Sequence, residues 1–464
     1  MPAEERGPGS RLAQDVVRAR KLGNLTIPES VQKLQRALQA KAKENPGFRF
    51  YALYDKVYRA DVLQFAYASC KANEGAAGVD EQEFADVEAY GRERWLGELA
   101  QELKEKTYRP QAVRRVFIPK RGGQGQRPLG IPTIRDRTAQ MATVLVLGPI
   151  FEADLAPEQH AYRPERDALS AVNQVHGLLN AGHTQVIDAD LSAYFDTIPH
   201  AELMKSVARR VVDSAMLHLI RMWLEAPVEE TDERGNKKRT TRNRDEKRGT
   251  PQGSPLSPLL SNIYMRRLVV GWKQLGYAQR YQAQIVNYAD DLVICCKGNA
   301  AEALGAMRRM VGRLRLTVNE EKTHLCRVPE EYFDFLGYTF GQRYSPRTGR
   351  AYLGTCPSKK SVRRQIESIH EKTDRKRCGL DASVVVAELN EGLRGWANYY
   401  QLGSVSNAYR AIDAYVTARL RRWLCRKHKV RGNGHTRYPD EYLTQTLGLV
   451  RLPQWQRNLP WAKA

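Results

Sequence analysis

Cysteine is scarce in this 464-residue sequence, and none of its seven cysteines is arranged as C-x-x-C. Cys70, Cys295, Cys296, Cys326, Cys356, Cys378 and Cys425 are odd in number, which argues against a disulfide framework. The missing C-x-x-C argues against a zinc ribbon or a Cys-rich nuclease module, and a reducing cytoplasm fits. Long hydrophobic runs are lacking too. The longest, Met141 to Phe151, falls well short of the ~20 residues a membrane helix needs, so no membrane partner is expected. The opening MPAEERGPGSRLAQ has no apolar stretch, and no secretory leader is expected. Acidic charge is in deficit: 52 Asp+Glu face 74 Lys+Arg, a net charge of +22. That excess points to a polyanionic partner, because Lys and Arg release counterions from phosphate backbones.

What is present suffices for a folded chain. The 42% hydrophobic content can bury a sizeable core, and the length suggests roughly two to four domains at ~100–200 residues each. After a polar opening, Val31, Leu34 and Leu38 recur at helical spacing behind Pro28. YRPQAVRRVFIPK alternates apolar and basic side chains before the turn RGGQGQ. Residues 231–249 are nearly devoid of apolar side chains and read as a solvated loop or a hairpin reaching toward a partner. Past Gly349 helical patterns dominate, with Leu389, Leu393, Trp396 and Tyr400 on one face.

Two acidic segments carry the chemistry. In NYADDLVICC, Asp290 and Asp291 sit between apolar strand-like runs, where unpaired carboxylates cost several kcal/mol and call for a cation. In VIDADLSAYFD, strand alternation puts Asp188 and Asp190 on one face, and Ile187, Ala189 and Leu191 on the other. Carboxylates converging from separate elements are what a two-metal phosphoryl-transfer site requires. The pattern alone does not choose between Asp188 and Asp190.

The segments FYALYDKVYRADVL, IPKRGGQGQRPLGIPTIRDR, AYRPERDA, DADLSAYFD, GTPQGSPLSPLLSN, NYADDLV, LTVNEEKT, FDFLGY and LRGWANYY stand in this order. Together they resemble the reverse transcriptase/maturases encoded by bacterial group II introns, from about Phe50 to Ala464. The resemblance implies an α+β right-hand polymerase with palm and fingers, an N-terminal extension and an α-helical thumb, the maturase domain X. It implies an RNA-directed DNA polymerase that also binds intron RNA in splicing and retrohoming. The family's metal-binding acid lies five residues before an aromatic, which selects Asp190 ahead of Phe195. Asp190, Asp290 and Asp291 are then the catalytic and metal-binding acids, holding two Mg²⁺ ions, with Mn²⁺ as a substitute. Lys322 matches the lysine that donates a proton to the leaving pyrophosphate. Lys120 and Arg127 would grip the phosphates of the incoming dNTP, Phe195 would gate against a ribose 2′-hydroxyl, and Gln252 would lie against the nucleotide. Ser254, where many relatives carry a second glycine, and Ala161 and Asp167 in AYRPERDA are departures from the family pattern.

Between Tyr399 and Pro439 the only acid is Asp413. RLRRWLCRKHK is a candidate nucleic-acid-binding helix, with Arg419, Arg422, Arg426, Lys427 and Lys429 as phosphate contacts and Trp423 for packing or stacking. The expected divisions are an N-terminal extension and first fingers segment at 1–75, fingers and palm at 76–348, thumb at 349–430, and a short basic C-terminal tail at 431–464. No tandem His/Cys cluster lies near the end, and the HNH endonuclease of many relatives is not expected. The expected partners are an intron RNA template, a DNA primer or target, and dNTPs. The alternative is a domesticated relative serving phage defence, CRISPR adaptation or DNA repair.

Overall fold

The period-two pattern of TQVIDADL forms the strand Gln185–Asp190, and the apolar runs around NYADD form Ala283–Tyr288 and Asp291–Cys296. With His324–Arg327 they make an antiparallel sheet in the order His324–Arg327, Gln185–Asp190, Asp291–Cys296, Ala283–Tyr288. The computed structural model describes residues 21–22, 25–119, 126–232, 236–345 and 348–457. Its chain falls into two compact units that interleave along the sequence. One comprises Met1–Pro164, Leu191–Gln274 and Arg308–Val318, and the other Glu165–Asp190, Leu275–Met307 and Asn319–Ala464.

The first unit is built around the helix Ile134–Glu152, which packs on the helices Glu29–Glu44 and Ala60–Ala72. This helix contains the long apolar run and is buried on every side, so it shows no amphipathic stripe. Thr138 and Thr143 satisfy their hydroxyls on the carbonyls of Ile134 and Ala139. Among the described residues no helix is long and apolar enough to cross a membrane. A four-stranded sheet runs in the order Gln126–Ile131, Val113–Pro119, Val228–Thr231, Lys237–Thr240. In the basic segment at 231–249, Lys237–Thr240 pairs antiparallel with Val228–Thr231 and the helix Arg242–Glu246 follows, while residues 233–235 lie outside the described residues. Part of its charge is paired, Arg239 with Glu229 at 2.7 Å and Arg242 with Glu246 at 2.7 Å.

In the second unit the helix Ala168–Asn180 places Ala171, Val172, Val175 and Leu179 in one core with Val186, Val286, Val293 and Cys295 of the acidic sheet. Asp167, one of the departures from the family pattern, caps that helix by accepting a hydrogen bond from Ser170 N. The turn Leu336–Gly337 joins Phe333–Phe335 to Tyr338–Tyr344, with both turn residues at positive φ. A Cβ at Gly337 would collide with Tyr400 Oη, so only glycine fits. Tyr399 Oη donates to Leu336 O, and Ser361 Oγ donates to Gly337 O. FDFLGY and LRGWANYY, two motifs read separately, are therefore one hydrogen-bonded knot.

The helices Lys359–Lys372, Ala382–Tyr399 and Ser406–Lys427 share a further core that includes Leu389, Leu393, Trp396, Leu420 and Trp423. The stretch past residue 430, expected as a tail, also enters it through Tyr438, Leu443, Leu449 and Leu452. Burial of Asp413 explains why that acid is there: it accepts from Arg451 Nε at 2.9 Å and from Leu452 N at 3.1 Å, fixing the returning chain.

Candidate active site

Alternation along Gln185–Asp190 puts Val186, Asp188 and Asp190 on one face. Register completes that face. Val186 lies opposite Cys295, Asp188 opposite Val293, and Asp190 opposite Asp291. The face is therefore apolar where the helix Ala168–Asn180 covers it and acidic at the end of the strand. Asp190 and Asp291 are a directly opposed like-charged pair, an arrangement that destabilises a sheet unless a cation neutralises it.

The turn that presents Asp290 is tight. Tyr288 pairs with Asp291, leaving Ala289 and Asp290 as its two residues, with Ala289 at φ 57°. Non-glycine residues seldom hold that conformation without outside support. Asn287 supplies it: buried within the strand, its Nδ2 donates to the carbonyls of Ala289 at 2.8 Å and Asp291 at 3.2 Å.

Lys322 reaches the acids from a third segment. Its Nζ is 2.8 Å from Asp190 Oδ2. Asn319 holds the same aspartate from both ends, donating its backbone N–H to Asp190 O at 2.8 Å and its side-chain amide to Oδ2 at 3.3 Å. The hydrogen bond to Asp190 raises the Lys322 pKa above its ordinary value, with Asp290 and Asp291 adding to it, so the ammonium is charged at neutral pH. Asp188 behaves oppositely. Burial first, and then the charges of Asp291, Asp190 and Asp334, push its carboxyl up to about 7. Asn287 and Asn319 were missed in the sequence. Asn287 had a visible signal, a lone amide in an apolar strand, whereas Asn319 had none.

The chemistry of the donors fits a hard divalent cation. Carboxylate oxygens suit Mg²⁺, which is usually held by one or two carboxylates together with substrate phosphates. Among the described residues no group of three or more acids, histidines or cysteines is placed to hold a metal ion by itself.

The nucleotide-binding candidates lie in the first unit. Arg127 is exposed on the strand Gln126–Ile131, opposite Ile118, and Lys120 lies outside the described residues. Phe195 is half-buried, and its carbonyl accepts from Thr250 N at 2.7 Å. Gln252 donates to Asp196 Oδ2 at 3.3 Å, and its own carbonyl accepts from Gly130 N. Gly253, at φ 117°, passes so close to Gly130 O that a Cβ would collide with it. These contacts tie the segments carrying Phe195, Gln252 and Arg127 together. Asp196 takes part in the same cluster through its bond from Gln252.

On the helix Ser406–Lys427 and just past its end, at Lys429, the five basic candidates separate. Arg419 is buried, and its guanidinium donates to Thr373 Oγ1, Thr373 O and His370 O. Lys427 donates to the carbonyls of Leu380 at 2.8 Å and Cys378 at 3.2 Å. Burial corrects the reading of Arg419 as a phosphate contact, whereas Lys427 stays partly exposed with its ammonium on those carbonyls. Trp423 is buried and packs rather than stacks on a base. Arg422, Arg426 and Lys429 are exposed.

Residues 118–340 match the family model of reverse transcriptases (RNA-dependent DNA polymerases), and residues 360–438 match that of the group II intron maturase-specific domain. Protein YkfC of Escherichia coli K12 is 32% identical over 71% of this chain and 93% of its own length. The group II intron-encoded protein LtrA of Lactococcus lactis is 25% identical over 84% of this chain and 76% of its own. A putative COX1/OXI3 intron 1 protein of Saccharomyces cerevisiae is 26% identical over 53% of the chain and 34% of its own. The chain belongs to the group II intron reverse transcriptase/maturase family, whose polymerase activity is RNA-directed DNA synthesis.

Proposed function

We propose that this chain copies RNA into DNA at Asp190, Asp290 and Asp291, and that it binds an intron RNA as a maturase in splicing and retrohoming. The observation that carries the reading is the register pairing of Asp190 with Asp291, with Lys322 bonded to Asp190. Asp190 and Asp290 would hold two Mg²⁺ ions, with Asp291 peripheral and Mn²⁺ an acceptable replacement. Bound there, the metals supply activation of a primer 3′-hydroxyl and neutralisation of the leaving pyrophosphate.

The protein's own groups do the rest. Asn319 and Lys322 orient the Asp190 carboxylate, and Asn287 fixes the turn bearing Asp290. Lys322, held charged by its neighbours, delivers a proton to the pyrophosphate oxygen as the P–O bond breaks. Lys120 and Arg127 grip the triphosphate, Arg bidentately and Lys as a point charge. Phe195 closes the space a 2′-hydroxyl would take, and Gln252 lies against the nucleotide. The helices after residue 349 act as the thumb, with Arg422, Arg426 and Lys429 available to RNA phosphates. In this reading residues 1–75 serve as the N-terminal extension and first fingers segment, and residues 76–348 as fingers and palm.

Primer extension on an RNA template with Mg²⁺ and dNTPs tests this, comparing wild type with Asp290→Ala. Extension by the wild type, lost in the variant while RNA affinity stays, is the expected result. A folded wild type that binds RNA and extends nothing would refute the polymerase assignment.

A further inference from the structure

Away from the acids, the second unit carries a groove of about 950 Å³. It is bounded by the hairpin of Tyr338–Tyr344 with Ala351–Pro357 and by the first turns of the helices Lys359–Lys372 and Ser406–Lys427. Its lining includes four cations, Arg343, Lys359, Arg363 and Arg410, and no Asp or Glu. Lys359, Arg363 and Arg410 are exposed and form no ion pair among the described residues. A lining of one sign in a concave surface focuses a positive potential on whatever enters.

Two aromatic rings open onto the same space. Tyr332 is 53% exposed and Tyr344 is 65% exposed, unusual for side chains of that size. Both are held in place. The Tyr332 ring lies against Gly341, where a Cβ would collide with it, and carries the Arg343 guanidinium 5.6 Å from its centre. Tyr344 Oη accepts from Gln342 Nε2 at 2.8 Å. The helix Ser406–Lys427 adds its positive dipole end, since Val405 at the N-cap offers no side-chain oxygen to the first turn.

We infer that this groove binds an unpaired polynucleotide strand, with phosphates on the four cations and bases stacked on Tyr332 and Tyr344. Cations alone would suit any polyanion, and a duplex would use them without the rings because its bases already stack on one another. Positioned rings among unpaired cations match a single strand, whose bases present free faces. The inference rests on the proposed use of RNA as partner, and the same groove chemistry would accept single-stranded DNA.

The test uses the full chain, a short oligouridylate carrying 5-bromouridine, the matching oligodeoxythymidylate, and a blunt duplex. Fluorescence anisotropy gives affinities, and ultraviolet cross-linking with peptide mapping gives the site. Cross-links are expected on peptides containing Tyr332 or Tyr344. Tyr344→Ala should weaken single-strand binding about ten-fold, the effect of losing one stacked base. Lys359→Glu with Arg363→Glu should lower the salt slope by about 0.7 for each phosphate contact removed. Extension of a minimal primer–template with a short overhang should stay within about two-fold in each variant, a range small beside the loss of a transition-state contact. Binding of either strand supports the groove, and the tighter of the two names its source. Cross-links elsewhere with unchanged affinity, or an equal loss of duplex binding, would overturn it. A wild type that extends primers but binds no single strand defeats the groove alone. One that neither extends nor binds defeats the polymerase reading as well.

Discussion

Replacing Lys322 by methionine separates a catalytic lysine from a merely structural one. The Lys322 side chain is 67% exposed and its partner Asp190 21%, so their ion pair is screened by water. Pairs of that kind contribute about 0–1 kcal/mol to folding, and the melting temperature should barely move. Loss of a general acid lowers the rate by roughly 10²- to 10⁴-fold, or about 3–5 kcal/mol of barrier. The assay is single-nucleotide incorporation under single-turnover conditions, which isolates chemistry from product release. Lys322→His adds a pH signature. A lysine ammonium, with an ordinary pKa of about 10.4, stays protonated to well above neutrality, so the wild-type rate should not fall with alkali through pH 9. An imidazole, with an ordinary pKa of about 6.5, would lose its proton as pH rises, bringing the alkaline fall down to near neutrality. A Lys322→Met enzyme within about three-fold of wild type, or a Lys322→His profile as flat as the wild type's, would refute the proton-donor role and its 10²-fold minimum effect.

Three further outcomes follow from the first unit. Phe195→Ala should lower discrimination against ribonucleotides by about 10- to 200-fold, the usual range for one group's worth of pocket shape, read from competing dNTP and rNTP incorporation; unchanged discrimination would remove Phe195 from the gate. Tyr108→Phe should destabilise the unit by about 2–4 kcal/mol in a denaturant melt, because Tyr108 Oη donates to buried Asp136 and accepts from Trp223 Nε1. Burial pushes the Asp136 carboxyl up to about 6, so the folded state holds its proton more tightly than the unfolded chain does. This group's stabilisation is full below about pH 4 and is lost as pH rises through 6, a trend that Asp136→Asn should abolish in the same melts.

The acids show how far a sequence can be read and where it stops. Alternation placed Asp188 and Asp190 on one face, and the structure keeps them there, but a face is not a partner. What separates them is the pairing of Asp190 with Asp291, set by strand register across about a hundred residues of chain. Family resemblance chose Asp190; the local pattern could not. The lysines and arginines are harder to read for a different reason. Their charge is plain in the sequence, but whether a guanidinium meets solvent depends on where other helices leave carbonyls open. Arg419 ends beside Thr373 and His370, and Lys427 ends beside Cys378 and Leu380, while Arg422 and Arg426 point to water on the same helix. The chain past residue 430 hid its role because Tyr438, Leu443, Leu449 and Leu452 follow no single helical or strand period.

Interleaving of the two units has one cause in common with the site. The strand Gln185–Asp190 pairs with Asp291–Cys296 on one side and His324–Arg327 on the other, so three distant segments must reach a single sheet. That same convergence delivers Asp190, Asp290 with Asp291, and Asn319 with Lys322 to one end of it. A local fold could place two acids side by side, as NYADD does, but it could not surround them with a third acid and a lysine. The long-range pairing that makes this sheet slow to form, because loop closure precedes any contact it rewards, is therefore inseparable from its chemistry.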